Sequence, residues 1–309
     1  MKESSVGTTR KGIVETFGAM GRSRIALEVG THSPWVSRLL TELGHEVIVA
    51  NPRQLKLITE SSRKNDKVDA KTLARLARVD VELLRPIRHR GEKAQMPLAR
   101  IRVRAALVET RTSLVNTLRG LAKSAGERVG ACDPDSLEVA RLEVESLTEQ
   151  IKESDRKLEQ IARDEYPETA LLTVIYGVGT LIALTFVLTV DDQQRFQKSR
   201  DVGCYVGLRP KRSQSGNSDP QLRITKEGDS YLRKMLVQGA HRILSRGAPD
   251  TDLKRWGLKL SGRGGQNAKK RAIVAVARKL AILLHRLWVT GEVYEPLRNQ
   301  RAESGLKAA

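Results

Sequence analysis

An α/β segment followed by a mainly helical remainder is the fold class that this 309-residue sequence predicts, on three observations. Residues 24–78 alternate short apolar runs with amphipathic ones, the rhythm of strand and helix in turn. Residues 98–161 repeat apolar positions in steps of three and four on both sides of a single break, the mark of two long helices. From residue 170 onward, helix-like apolar stretches are separated by Gly-containing loops. The length suffices for two domains, each with a core of its own.

The elements follow in order. "RIALEVG" (24–30) reads as a buried strand bounded by Gly30. Ser33 is placed to cap the next helix, with Pro34 at its first position, Leu39, Leu40 and Leu43 on its apolar side, and Gly44 ending it. "HEVIVAN" (45–51) is a second strand, and Asn51-Pro52 opens a further helix. This order predicts parallel pairing within an α/β sheet. Residues 66–78 read as helix through Val68, Leu73, Leu76 and Ala77, which sets Asp66 and Asp69 on one face.

Leu98, Ile101, Ala105, Val108, Thr112 and Val115 give the first long helix. Leu137, Ala140, Val144, Leu147, Ile151, Ser154, Leu158 and Ile161 give the second, after a break at 126–134. The pair predicts an antiparallel hairpin, or a coiled coil shared with another subunit. Its first arm carries Arg100, Arg102, Arg104, Arg111 and Arg119, a face either simply solvated or set against phosphate. Residues 170–190 hold no charge and are long enough to cross a bilayer. Gly177 and Gly179 in mid-run, with Thr173, Thr180, Thr185 and Thr189, argue instead for two short buried helices joined by a turn, and against a membrane protein. A loop region through 195–217, a helix over 230–245, a Gly-rich loop at 261–270 and a last helix through Ala272, Val276, Leu280, Leu283 and Leu287 complete the chain, with a loose tail after Tyr294. The expected division is 1–90, 91–165, 166–260 and 261–309.

Fifty-five Lys and Arg against 36 Asp and Glu leave a net charge of +19. Such an excess favours a polyanionic partner, because each neutralised phosphate releases condensed counterions. Cys132 and Cys204 are far apart and offer neither a disulfide framework nor a zinc cluster. With no apolar leader at the N-terminus, the expected compartment is the cytoplasm.

Two constellations carry candidate chemistry. Glu28 at a strand end, with Asp66 and Asp69 on a later helix, supplies the hard oxygens that Mg2+ needs beside a phosphodiester. A wet helix face beside Lys67 and Lys71 accounts for the aspartates equally simply. Ser215, in "RPKRSQSGN" (209–217), has Gly216 beside it to admit a phosphate and Lys211 and Arg212 before it to steady negative charge. Its ordinary alternative is plain turn chemistry.

Taken together, "ALEVGTHSPWVSRLL" (26–40), "VIVANPRQLK" (47–56), "KNDKVDAKTLARL" (64–76), "YGVGTLIALTFVLTV" (176–190), "RFQKSRDVGCYVGLRPKRSQSG" (195–216), "RITKEGDSYLRKMLVQGAH" (223–241) and "KKRAIVAVARKLAILLHRLWVTGEVY" (269–294) resemble the DEDD transposases of the insertion sequence 110 family, with the Piv/MooV-type invertases as relatives. The resemblance implies a RuvC-like, RNase H-type N-terminal domain, a coiled-coil segment and a C-terminal transposase domain. It implies Mg2+ chemistry, a serine that joins covalently to DNA, double-stranded DNA as element ends and target, an element-encoded guide RNA, and a homo-oligomer. By motif, Glu28, Asp66 and Asp69 fall on the family's metal-binding acids and Ser215 on its nucleophile; Lys211, Arg212, Arg100, Arg104 and Arg111 are the expected nucleic-acid contacts. One departure stands out: the family's first aspartate lies on an opening strand, and no aspartate precedes Asp66 here. The expectation is an N-terminally truncated reading and a weak or inactive recombinase, the alternative being a remnant that binds nucleic acid without chemistry.

Overall fold

The computed structural model describes residues 4–51, 65–124, 126, 134–220 and 222–299, with the side chains of 134–139 not described. The helix expected to open at Asn51-Pro52, Cys132 and the end of the tail lie outside the described residues. The chain divides into two compact units, Met1–Arg90 and Gly91–Ala309.

The first unit runs α1 (Arg10–Phe17), β1 (Arg24–Glu28), α2 (Ser33–Glu42), β2 (Glu46–Ala50) and α3 (Asp66–Val79), then a 3-10 turn at Val81–Leu84. β1 and β2 pair in parallel, from Arg24 opposite Glu46 to Glu28 opposite Ala50. The two-residue side-chain period of a strand gives this small sheet two apolar faces. Ile25, Leu27 and Val47 pack with Ile13 of α1 and Leu39 and Leu40 of α2. Ala26, Ile48 and Ala50 pack with Leu73 and Ala77 of α3 and with Leu84. Two local details differ from the sequence reading. Ser33 is the first helical residue rather than the cap, because its hydroxyl turns back to donate to the Gly30 carbonyl at 2.8 Å. α1 was not foreseen; Thr9 caps it, accepting from the Gly12 amide at 3.1 Å.

The second unit begins with two long helices, α4 (Glu92–Ser124) and α5 (Pro134–Glu165). They are antiparallel, since Arg104 meets Asp155 while Arg111 meets Thr148. Ala94, Leu98 and Ile101 pack on Leu158 and Ala162, and this seam continues onto Leu184 and Leu188. The two arms carry opposite charge: seven basic against two acidic residues in α4, and five basic against ten acidic in α5.

The uncharged run then folds as α6 (Thr169–Thr173) and α7 (Thr180–Val190). Among the described residues no helix is long and apolar enough to cross a membrane. Gly177 makes the break, at φ +89°, and a Cβ there would lie 2.8 Å from the Gly239 carbonyl, so only glycine permits this approach. α7 is apolar on every side because it is surrounded: Ile182 through Val190 are all buried. After α8 (Val202–Tyr205) come α9 (Ser230–Ile243), α10 (Asp252–Ser261) and α11 (Ala268–Thr290). Phe186, Leu232, Leu236, Leu280 and Leu284 form the centre of their common core.

Candidate functional site

Glu28 ends β1, and Asp66 and Asp69 lie in the first turn of α3, the helix that covers one face of the same sheet. Asn65 caps that helix, accepting from the Lys67 amide at 3.0 Å, which fixes where the two aspartates emerge. Glu28 thus stands at the C-terminal edge of parallel strands, the side where open α/β sheets hold their ligands. Glu28 and Asp66 are exposed and Asp69 is half-buried. Yet among the described residues no three His, Cys, Asp or Glu side chains are gathered closely enough to hold a metal ion. The three expected metal ligands are therefore not drawn into a ready-made cluster. Like charges resist such an approach when no cation repays it.

Ser215 occupies the tip of a narrow hairpin in the second unit. Its amide donates to the Ser218 carbonyl at 3.1 Å and its carbonyl accepts from the Ser218 amide at 3.0 Å. Gly216, at φ +54°, and Asn217 form the two-residue turn between them. Further down, Lys211 donates to Arg223, Thr225 to Arg209, and Lys226 to Gly207, all through backbone amides at 2.9 to 3.1 Å. The Ser215 side chain is exposed, and a Cβ placed on Gly216 would meet nothing within 4 Å. The tip is open to something as bulky as a phosphodiester. Residues 209–226 carry five basic side chains and one acidic one. Arg212 is held by Gln214 at 2.6 Å and lies 3.7 Å from Asp219; Lys211 is exposed.

The root of the hairpin is built from residues that the sequence reading did not single out. Gly228, at φ +71°, lets the chain pass so close to Tyr205 that a Cβ would sit 2.0 Å from its carbonyl oxygen. Arg233, one turn into α9, donates to the Val206 carbonyl at 3.0 Å and the Glu227 carbonyl at 2.8 Å, tying the two ends of the hairpin together. Asp229 caps α9, accepting from the amides of Tyr231 and Leu232 at 3.0 Å. The Gly-Asp-Ser start of an amphipathic run was the legible signal for that cap.

The arginines of α4 divide by task. Arg104 and Arg111, expected against phosphate, turn inward instead. Arg104 pairs with Asp155 through both Nε and Nη2, which raises its pKa above the ordinary arginine value against the opposing effect of burial. Arg111 donates to the Thr148 hydroxyl at 2.7 Å. Both contacts arise because α5 presents a carboxylate and a hydroxyl at those levels of the seam. Arg100 and Arg119 are exposed.

Comparison with known proteins places these features in a family. Residues 2–126 match the DEDD transposases of the IS110 group, and residues 169–254 match the transposase family IS116/IS110/IS902. The chain is 30% identical to y4pF/y4sB of Sinorhizobium fredii, over 96% of its own length and 80% of the relative's. It is 29% identical to the transposase for insertion sequence element IS1111A of Coxiella burnetii, over 91% and 82% of the two chains. To the transposase for element IS1328 of Yersinia enterocolitica it is 30% identical, over 72% and 71%. The two matches flank the helical hairpin and take in both the carboxylates and the serine tip: this chain belongs to the IS110 family of DEDD transposases.

Proposed function

We propose that this transposase cleaves and rejoins DNA strands with Ser215 as nucleophile and with Mg2+ held by Glu28, Asp66 and Asp69. The observation that carries the reading is the exposed Ser215 hydroxyl beside the open Gly216 position, at the tip of a strongly basic hairpin. The Ser215 Oγ attacks the phosphorus, an Oγ–P bond forms as the P–O bond to the departing strand breaks, and the departing oxygen takes up a proton. Attack on the phosphoserine by a hydroxyl of the second strand reverses the step and frees the serine. No water is consumed, so the phosphodiester is conserved through the exchange. Lys211 and Arg212 steady the negative charge on the phosphate as it becomes five-coordinate.

The acids of the first unit suit Mg2+ by donor chemistry: three carboxylates, none engaged in an ion pair with a described residue. This ion keeps several waters and binds through one or two protein carboxylates plus substrate phosphates, so a preassembled three-ligand cage is not required. When bound, it neutralises charge on the reacting phosphate oxygens. The RuvC-like fold of the first unit belongs to the same reading, as do a cytoplasmic setting, an element-encoded guide RNA and double-stranded DNA as element ends and target. A homo-oligomer accords with Met96 and Val103, which stand exposed on α4 away from the α5 seam.

The test uses the full chain with guide RNA, Mg2+ and an end-labelled duplex carrying an element end. A labelled covalent protein–DNA adduct on a denaturing gel is expected, and Ser215→Ala should abolish it. Cleavage by Ser215→Ala at the wild-type rate rejects the serine and leaves a hydrolytic nuclease. A second reading, a chain that binds nucleic acid without chemistry, is favoured by the ungathered carboxylates. It predicts tight duplex binding with neither adduct nor nick.

A further inference from the structure

We propose that Arg278 is a phosphate-contacting residue at the root of the serine hairpin, offering its guanidinium edge to a backbone phosphate of bound nucleic acid. Arg278 lies midway along α11, where that helix packs against α8. Its stem occupies the space that a side chain on Gly203 would need: a Cβ there would lie 2.9 Å from its Cγ and 3.0 Å from its Nε. Gly203 in turn anchors the start of the hairpin, its carbonyl accepting from the Leu208 amide at 3.0 Å. The absence of a side chain at Gly203 thus seats the arginine beside the strand that leads to Ser215.

The Nε of Arg278 is buried and has no hydrogen-bond acceptor. Half-buried guanidiniums ordinarily recover the cost of desolvation from a carboxylate or carbonyl, and none of the described residues forms an ion pair with this one. The hairpin beside it is itself basic, so the missing acceptor is not supplied locally. A second orphan, the buried hydroxyl of Thr225, lies on the returning strand of the same hairpin. A planar cation with an unused edge is the geometry that binds an oxyanion with two oxygens side by side. In a transposase the abundant anion of that shape is the phosphodiester. The inference rests on nucleic acid reaching the hairpin, as the proposed function requires, but not on Ser215 being the nucleophile.

The experiment measures binding of the full chain to a fluorescein-labelled random-sequence DNA duplex by anisotropy, between roughly 50 and 200 mM salt. Arg278→Gln and Arg278→Met both remove the charge, and the Met variant keeps the apolar stem if Gln impairs folding. Weaker binding is expected, with the slope of log K against log salt reduced by about 0.9, the value for one lost phosphate contact. The thermal midpoint without DNA should not fall, because an unrepaid buried cation has been removed. A merely structural arginine gives the opposite pattern, a lower midpoint with an unchanged slope, and that result overturns the proposal. A steep wild-type slope shared by a well-folded variant overturns Arg278 alone; a flat wild-type slope removes the wider phosphate reading with it.

Discussion

Arg102 of the long first arm donates to Asp229 at 3.2 Å, and the same carboxylate caps the helix that follows the serine hairpin. Its side chain is 8% exposed, so the contact sits largely out of water. One carboxylate therefore serves both the helical hairpin and the root of the serine loop. Asp229→Ala loses a cap and a charge-assisted hydrogen bond together, for an expected cost of roughly 2–3 kcal/mol. Asp229→Asn keeps the cap and should lose about 1 kcal/mol. Urea unfolding of the two variants checks the order.

Glycines in the hairpin separate space from backbone conformation. Gly228→Ala forces a Cβ onto the Tyr205 carbonyl and should cost several times what Gly216→Ala costs. At Gly216 there is room, and only the positive φ is penalised, at roughly 1–2 kcal/mol. Gly216→Asn should recover part of that loss. Thermal midpoints order the three, and an equal effect of both alanines contradicts the packing described for the root.

The carboxylates make a paired prediction. Glu28→Gln, Asp66→Asn and Asp69→Asn should each lower Mg2+-dependent strand cleavage by a hundredfold or more, about 2.7 kcal/mol of barrier. Without metal the same changes should leave the thermal midpoint unchanged or raise it, since like charges are being relieved. A marked loss of metal-free stability marks these acids as structural.

His285 gives the chain an acid-sensitive joint. It is buried in α11, with Nε2 3.0 Å from the Gln193 carbonyl and Nδ1 3.0 Å from the Ser199 hydroxyl. A carbonyl only accepts, so Nε2 carries the proton and Nδ1 accepts from Ser199. Burial lowers the pKa of His285 from 6.5, partly offset by the bond to Gln193. The unfolded chain then binds the proton more readily than the folded one. Stability from this site is complete above the unfolded value near 6.5 and is lost as pH falls below it toward the lowered folded value. The urea midpoint should drop between about pH 6.5 and 5, and His285→Gln should flatten that part of the profile.

Much of this was legible in sequence because it rests on period and punctuation. The strands around Leu27 and Ile48, the helix through Leu73 and Ala77, and the two arms through Ile101 and Leu158 are each announced by spacing alone. Gly177 and Gly179 marked the division of the uncharged run. What escaped depends on partners distant in sequence. The inward turn of Arg104 and Arg111 follows from Asp155 and Thr148, 51 and 37 residues away. Arg233 looks like any helix arginine until Val206 and Glu227 are brought beneath it. Arg278 was hidden for the same reason, its relation to Gly203 being one of volume rather than of motif.

The division of residues 170–190 also bears on how the chain is made. Much of what surrounds α7 belongs to α9 and α11, and α11 ends at Thr290, 100 residues after Val190. At roughly 5–20 residues per second of synthesis, the most apolar stretch of the protein waits about 5–20 s for its last neighbours. During that interval it is a substrate for chaperones and for the machinery that sorts hydrophobic nascent chains. Yield in the cell should therefore depend on translation speed across the last third of the message.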